Sequence, residues 1–182
     1  MSRWTVRYIH PPELHDVGQR TTRGAIAGIV SGLVFLIATM GYVTTKGLPA
    51  VAPMIDISTI FHGQDRPVPN PDNVVVGLVT HLTLSVAYGV VFAVLVSMLP
   101  RRALIVLAAG VVYGLLLYAV NFQIFGRILF PWFTNPEGPD QGFEVFIHAV
   151  FGLLLAPFLI GGSQPAVVGA ARTERVAAAR ET

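Results

Sequence analysis

The chain has no cysteine, which excludes disulfides, thiolate metal sites and cysteine nucleophiles and leaves the redox compartment unread. Charge is also scarce. Only 12% of the 182 residues are charged, against about 25% for an ordinary soluble domain. The net charge of +2 is too small for a nucleic-acid surface, so no DNA or RNA partner is expected. A nucleophile elbow, a phosphate loop and a dinucleotide fingerprint are all missing. The first apolar run starts near Gly24 and continues to about Thr45, too long for the core of a cleaved signal, so it reads as an uncleaved span.

What is abundant is apolar surface. Hydrophobic residues make up 53% of the chain, the mean hydropathy is +0.65 and there are 18 glycines. This composition predicts a single integral membrane domain. Four runs, 24–45, 73–99, 103–126 and 142–160, are each long enough to cross a hydrocarbon core of roughly 30 Å at about 1.5 Å per residue. The predicted architecture is all-α, a four-transmembrane-helix antiparallel bundle. Residues 1–21 form a polar, irregular cytoplasmic arm, 22–162 the membrane domain and 163–182 a cytoplasmic tail. His10 and His15 read as solvated histidines of the arm.

The connections carry their own signals. Residues 47–72 are rich in proline and contain VAPMIDISTIFHG, too short to span, which predicts a short extracytoplasmic interfacial helix between spans one and two. Asp56 within it is expected to cap the helix or to face water, the alternative being that it points inward as a candidate ligand-binding residue, and His62 ends the helix. Pro100-Arg101-Arg102 makes a tight turn that puts span three antiparallel beside span two. RILFPWF at 127–133 reads as an anchor with Phe130, Trp132 and Phe133 at headgroup level. Nine of the twelve basic residues fall in the arm, the 100–102 turn and the tail; Lys46, Arg66 and Arg127 lie opposite. By the positive-inside rule both termini are cytoplasmic, in the inner membrane of a bacterium if the arginine- and alanine-rich ends reflect a GC-rich source.

Small residues recur at four-residue spacing and mark the faces that pack. Span one carries Gly24, Gly28 and Gly32, and span two carries Gly77, His81, Ser85, Gly89, Ala93 and Ser97. Span three has Gly110 and Gly114, continuing to Tyr118 and Asn121; span four has Glu144, His148, Gly152 and Ala156. Such stripes face other helices, because bilayer helices pack through close backbone approach at small residues.

Counting down from the outer side, His81 lies roughly 10 to 12 Å deep, His148 roughly 9 Å and Asn121 roughly 8 Å. All three fall at one level. Glu144 sits one turn from His148 and is placed to accept an imidazole N–H. Intramembrane ionisable groups default to functional hypotheses, and four readings stay open. His81, Asn121 and His148 bond one another as structural glue; His81 and His148 hold a b-type haem; or His81, His148 and Glu144, with His62 from the loop, form a metal or quinone site. The fourth is a pore or transporter lined by the polar stripes.

PMIDISTIF after span one, HLTLSVAYG in span two, GVVYGLLLY in span three and IHAVFGLLLAP in span four together resemble a family of small bacterial four-span membrane proteins, over about residues 22–160. The resemblance implies the topology, singles out Asp56, His81 and His148, and attaches no reaction to them. The expected role is therefore a non-catalytic or accessory membrane protein, alone, as a homo-oligomer or beside other subunits in the lipid bilayer. A haem- or metal-binding redox protein is the alternative.

Overall fold

The computed structural model describes residues 14–63, 66–100 and 102–160. His10, Arg101 and the tail lie outside them, as does the side chain of His15. The chain runs α1 (Leu14–Thr45), α2 (Ala52–His62), α3 (Pro71–Val96) and α4 (Ala103–Tyr118), then a π-helical segment, Ala119–Phe125, and α5 (Gly126–Ile128). A 3₁₀ turn, Pro131–Thr134, leads to α6 (Gln141–Leu155) and α7 (Pro157–Ile160). Four stretches, Val17–Thr45, Pro71–Val96, Ala103–Ile128 and Gln141–Ile160, are long and apolar enough to cross a membrane. Their outer faces expose Ile37, Val75, Val79, Leu104, Leu116 and Phe146, surface suited to lipid and not to water. The protein is a multi-pass helical membrane bundle.

Local chemistry sets the boundaries. Asn70 caps α3 by accepting from the Asp72 amide at 3.0 Å, with Pro71 in the first turn where its missing N–H is not needed. Asp140 caps α6, accepting from the Gly142 and Phe143 amides at 2.9 and 3.1 Å. Gly63 ends α2 at φ 57°, a left-handed position, and its N–H bonds the Thr59 carbonyl. The first helix starts at Leu14, so the last third of the arm read as irregular is helical. The fourth span is not one helix: Pro157, which lacks an N–H, separates α6 from α7.

Two seams of backbone contact build the bundle. A Cβ placed on Gly24 would meet Gly89 and Ala93 at 2.6 and 2.8 Å, one on Gly28 the Ser85 carbonyl, and one on Gly32 the Ser85 side chain. Ascending residues of α1 thus meet descending residues of α3. In the second seam Gly110 lies against Gly152 of α6 and Gly114 against the His148 carbonyl. Gly77 of α3 receives the backbone of α2 at Met54.

Span three touches span two, as the 100–102 turn leads one to expect, but its closest packing lies elsewhere. Span three packs its glycine face on α6, and meets α3 mainly through long side chains. Phe92 and Tyr113 rings lie 5.0 Å apart, and the Tyr113 hydroxyl donates to the Tyr88 carbonyl at 2.9 Å. A tight turn fixes adjacency of chain ends only, whereas matched small faces decide which helices touch closely. Between the seams sits the core of Ala27, Phe92, Val96, Val106, Phe151 and Leu155.

The seams make a testable contrast. Gly28→Ala pushes a methyl group into backbone and is expected to lower stability by about 1–3 kcal/mol. Gly41→Ala, in the same helix with no atom within 4 Å of the added carbon, is expected to raise it by up to about 1 kcal/mol. Thermal unfolding followed by circular dichroism in one detergent compares them; equal melting of the two variants would mean that α1 and α3 are not in close backbone contact.

Candidate functional site

Adjoining the core cluster, whose Leu117 and Phe151 it shares, lies a cavity of about 1020 Å³. The last turns of α1, one face of α2, the middle of α3, the π segment, the 131–140 loop and the first half of α6 line it. Most of the wall is aromatic or aliphatic. His81, Asn121, Glu144, His148 and Asp56 all lie on it.

The two imidazoles come together around one ring. Phe35 lies 5.3 Å from His81 and 5.0 Å from His148, centre to centre. His81 is buried, and its Nε2–H donates to the Gly32 carbonyl across the first seam at 2.8 Å. His148 is buried too, and its Nδ1–H donates to the main-chain carbonyl of Glu144 at 2.8 Å. A carbonyl only accepts, so these bonds place the proton on Nε2 of His81 and on Nδ1 of His148. The His148 ring packs at steep angles against Phe35, Tyr118 and Phe122.

These geometries correct two expectations. The histidines and Asn121 do not bond one another: Asn121 Oδ1 instead accepts from the Tyr88 hydroxyl at 2.8 Å. Nor does the Glu144 carboxylate take the imidazole proton, since its Oε2 stands 3.5 Å from Nδ1 while the backbone carbonyl is nearer. That oxygen is buried and has no hydrogen-bond partner. Helical i−4 geometry explains the outcome, because a side chain leaning back along its helix reaches the preceding carbonyl first.

A haem between His81 and His148 fits poorly. A macrocycle held by both imidazoles would overlap the Phe35 ring that touches both, and Nε2 of His81 would have to leave Gly32. Among the described residues no three His, Asp or Glu side chains converge as a metal site would require. His62 is exposed at the end of α2 and does not line the cavity.

Other side chains arrive from stretches read differently in the sequence. Asp56 neither caps α2 nor faces open water; it sits inside the helix, partly buried, and accepts from Trp132 Nε1–H at 2.9 Å. The 131–134 turn is drawn inward with it. Phe133 is buried and lies edge-on to Phe122 at 5.5 Å, and Trp132 beside it is partly buried. The π segment assists: one wider turn brings Phe122 under Tyr118, stacked at 5.3 Å, and both against His148. The nearest sequence signal for Phe35 was its place one turn beyond Gly32 on α1; nothing local marked Tyr88 or Trp132 as wall residues.

The rim is tied by polar contacts. Tyr42 stacks on Phe143 at 3.9 Å and donates to Asp140 Oδ2 at 2.6 Å, joining the end of α1 to the start of α6. That hydroxyl, with the Phe143 and Gly142 amides, holds the Asp140 carboxyl below the usual range. Arg66 pairs with Glu137 at 2.8 Å, linking the two loops. Comparison with protein-family models, with curated proteins and with solved structures finds no match for this chain.

Asp56 lies outside the four spans, and burial pushes its carboxyl up from 3.8 to about 6, against the lowering by the Trp132 N–H. The folded protein thus holds a proton that the unfolded chain releases. Its contribution to stability is full below pH 3.8 and is lost as pH rises through about 6. Two pKa units at about 1.4 kcal/mol each put the loss at about 3 kcal/mol. Melting temperatures from pH 4 to pH 7 are expected to fall more steeply for the wild type than for Asp56→Asn. Parallel curves would show that this carboxyl is not buried.

Proposed function

We propose that this chain is a non-catalytic, accessory protein of a bacterial inner membrane whose outward half holds a small amphiphilic molecule. One observation carries the reading: a cavity of about 1020 Å³ has Glu144 on its wall, and the Oε2 of that side chain is buried with no hydrogen-bond partner. An unmatched buried acceptor costs the folded state roughly 1–3 kcal/mol, or more when charged, and a ligand donor entering the cavity would relieve that cost. The aromatic wall would take the ligand's apolar part, an arrangement typical of small-molecule sites. His81 and His148 shape the floor through Phe35 and supply no reaction.

The topology belongs to the same proposal. Opposite residue order along the α1–α3 seam supports an antiparallel bundle, with α2 lying at the outer interface. Arg20, Arg23 and Arg102 stand at one end and Lys46, Arg66 and Arg127 at the other. With the remaining basic residues of the arm and tail, this favours cytoplasmic termini and an outward-facing cavity. The membrane domain of residues 22–162 between two polar ends, and its kinship with small four-span bacterial membrane proteins, stand as parts of this reading.

Two measurements test it. Because the chain has no cysteine, Pro136→Cys in the 131–140 loop is expected to react with an impermeant maleimide in spheroplasts, and Ser97→Cys at the end of α3 only after lysis. The reverse pattern inverts the topology. For the pocket, native mass spectrometry of wild-type protein from mild detergent is expected to show a small-molecule adduct. The cavity-filling Thr39→Phe variant is expected to lack it while keeping its helicity. An adduct of haem mass would return the bis-histidine alternative, and equal adducts on both chains would remove the cavity from the account.

A further inference from the structure

Within the reading of the cavity as a binding site, its hydrogen-bonding inventory is one-sided. The donors on the wall are largely engaged by the protein itself. His81 Nε2–H and His148 Nδ1–H go to main-chain carbonyls. The Thr39 and Ser85 hydroxyls return to the carbonyls of Phe35 and His81 at 2.9 and 2.7 Å. The Tyr88 hydroxyl serves Asn121, and the Gln141 amide serves the Phe133 and Pro139 carbonyls at 2.8 and 2.9 Å.

Acceptors are in surplus. Of the four carboxylates on the lining, Glu137 is paired with Arg66, and Asp140 takes Tyr42 and two helix-capping amides. Asp56 receives one donor, from Trp132. Glu144, only 6% exposed, leaves Oε2 with none. The one lysine on the wall, Lys46, stands over the Tyr42 ring at 5.2 Å, at the end of α1 on the rim. The rings of Phe35, Tyr88, Phe122 and Trp132 line the same space.

A site of this make-up selects by charge. An anionic amphiphile would meet four carboxylates against one lysine, Lys46 on the rim, with Arg66 taken up by Glu137, and a quinone or ketone would bring further acceptors to a wall already rich in them. A cationic head supplies N–H donors to the Glu144 carboxyl group, where a charge-assisted bond is about twice as strong as a neutral one. It also lies among aromatic faces that attract cations. We infer that the ligand held between α1, α2, α3 and α6 is a lipophilic organic cation, a protonated amine on an apolar body, with Glu144 as its counter-ion and Asp56 as the second acceptor.

Three probes on one skeleton separate the cases: 4-phenylbutylamine, 4-phenylbutanol and 4-phenylbutyrate. The full chain carrying Trp4→Phe leaves Trp132, on the cavity wall, as the only tryptophan of the original two. In phosphatidylcholine nanodiscs, with empty discs as blank, the amine is expected to change its emission saturably. It is expected to bind about tenfold tighter than the alcohol and to lose about tenfold in Glu144→Gln, a loss equivalent to about 1.4 kcal/mol. Saturable binding of the alcohol as tight as the amine, or preference for the carboxylate, overturns the cation inference and leaves the pocket reading standing. No saturable binding by any of the three overturns both. If Glu144→Gln does not assemble, as judged by circular dichroism and size-exclusion chromatography, the wild-type preference among the three probes decides by itself.

Discussion

Backbone pressed on backbone at glycine is the constraint from which the rest of this structure follows. At Gly28 against Ser85 and at Gly114 against His148, a side-chain carbon would collide with a carbonyl of the facing helix. In lipid there is no hydrophobic gain from bringing two apolar helices together, so dispersion contacts and close approach must hold them. Each seam therefore fixes spacing and register at once. The first brings the Gly32 carbonyl within reach of His81 Nε2, and the second sets His148 at the level of Gly114. The polar residues sit where they do because the glycines allow the helices to close.

Closure along the core leaves space beside it. Phe92, Phe151, Leu155 and Val106 fill the bundle between the helices on one side. Beyond His81 and His148 the cavity occupies the space between the helices, with Met54, Phe122 and Phe133 among the buried apolar residues on that side. Two departures from regular helix enlarge this effect. The π segment Ala119–Phe125 shifts Phe122 inward, and the 3₁₀ turn Pro131–Thr134 folds Trp132 back to Asp56. Both lie on the wall of the proposed site. A buried carboxyl oxygen without a hydrogen bond there is a cost that packing alone would not retain, and it sets Glu144 apart from the glue role, which His81 meets through its bond to Gly32.

Residue by residue, the legible part of the site was the part carried by helical periodicity. Gly77, His81, Ser85, Gly89 and Ala93 share one stripe in the sequence and are all buried, while Ser97 at its end is exposed. The level shared by His81 and His148 could be counted from the ends of the spans, and both touch Phe35. What periodicity could not convey was hydrogen-bond choice. Whether His148 bonds the Glu144 side chain or its carbonyl turns on a difference of under an ångström. Asp56 and Trp132 are 76 residues apart, each ordinary in its own segment, and only their meeting makes either one part of a wall.

The sequence by itself determined four apolar crossings, the small-residue faces by which they pack, and the placement of polar groups on those faces. These follow from repeats of four along a helix and from the length of chain a bilayer requires. Tertiary structure alone decided which faces pair, α1 with α3 and α4 with α6, and that a cavity remains between them. The physical reason is that pairing depends on matching one ridge of glycines to another across space. A cavity is defined by what several distant segments together leave unfilled.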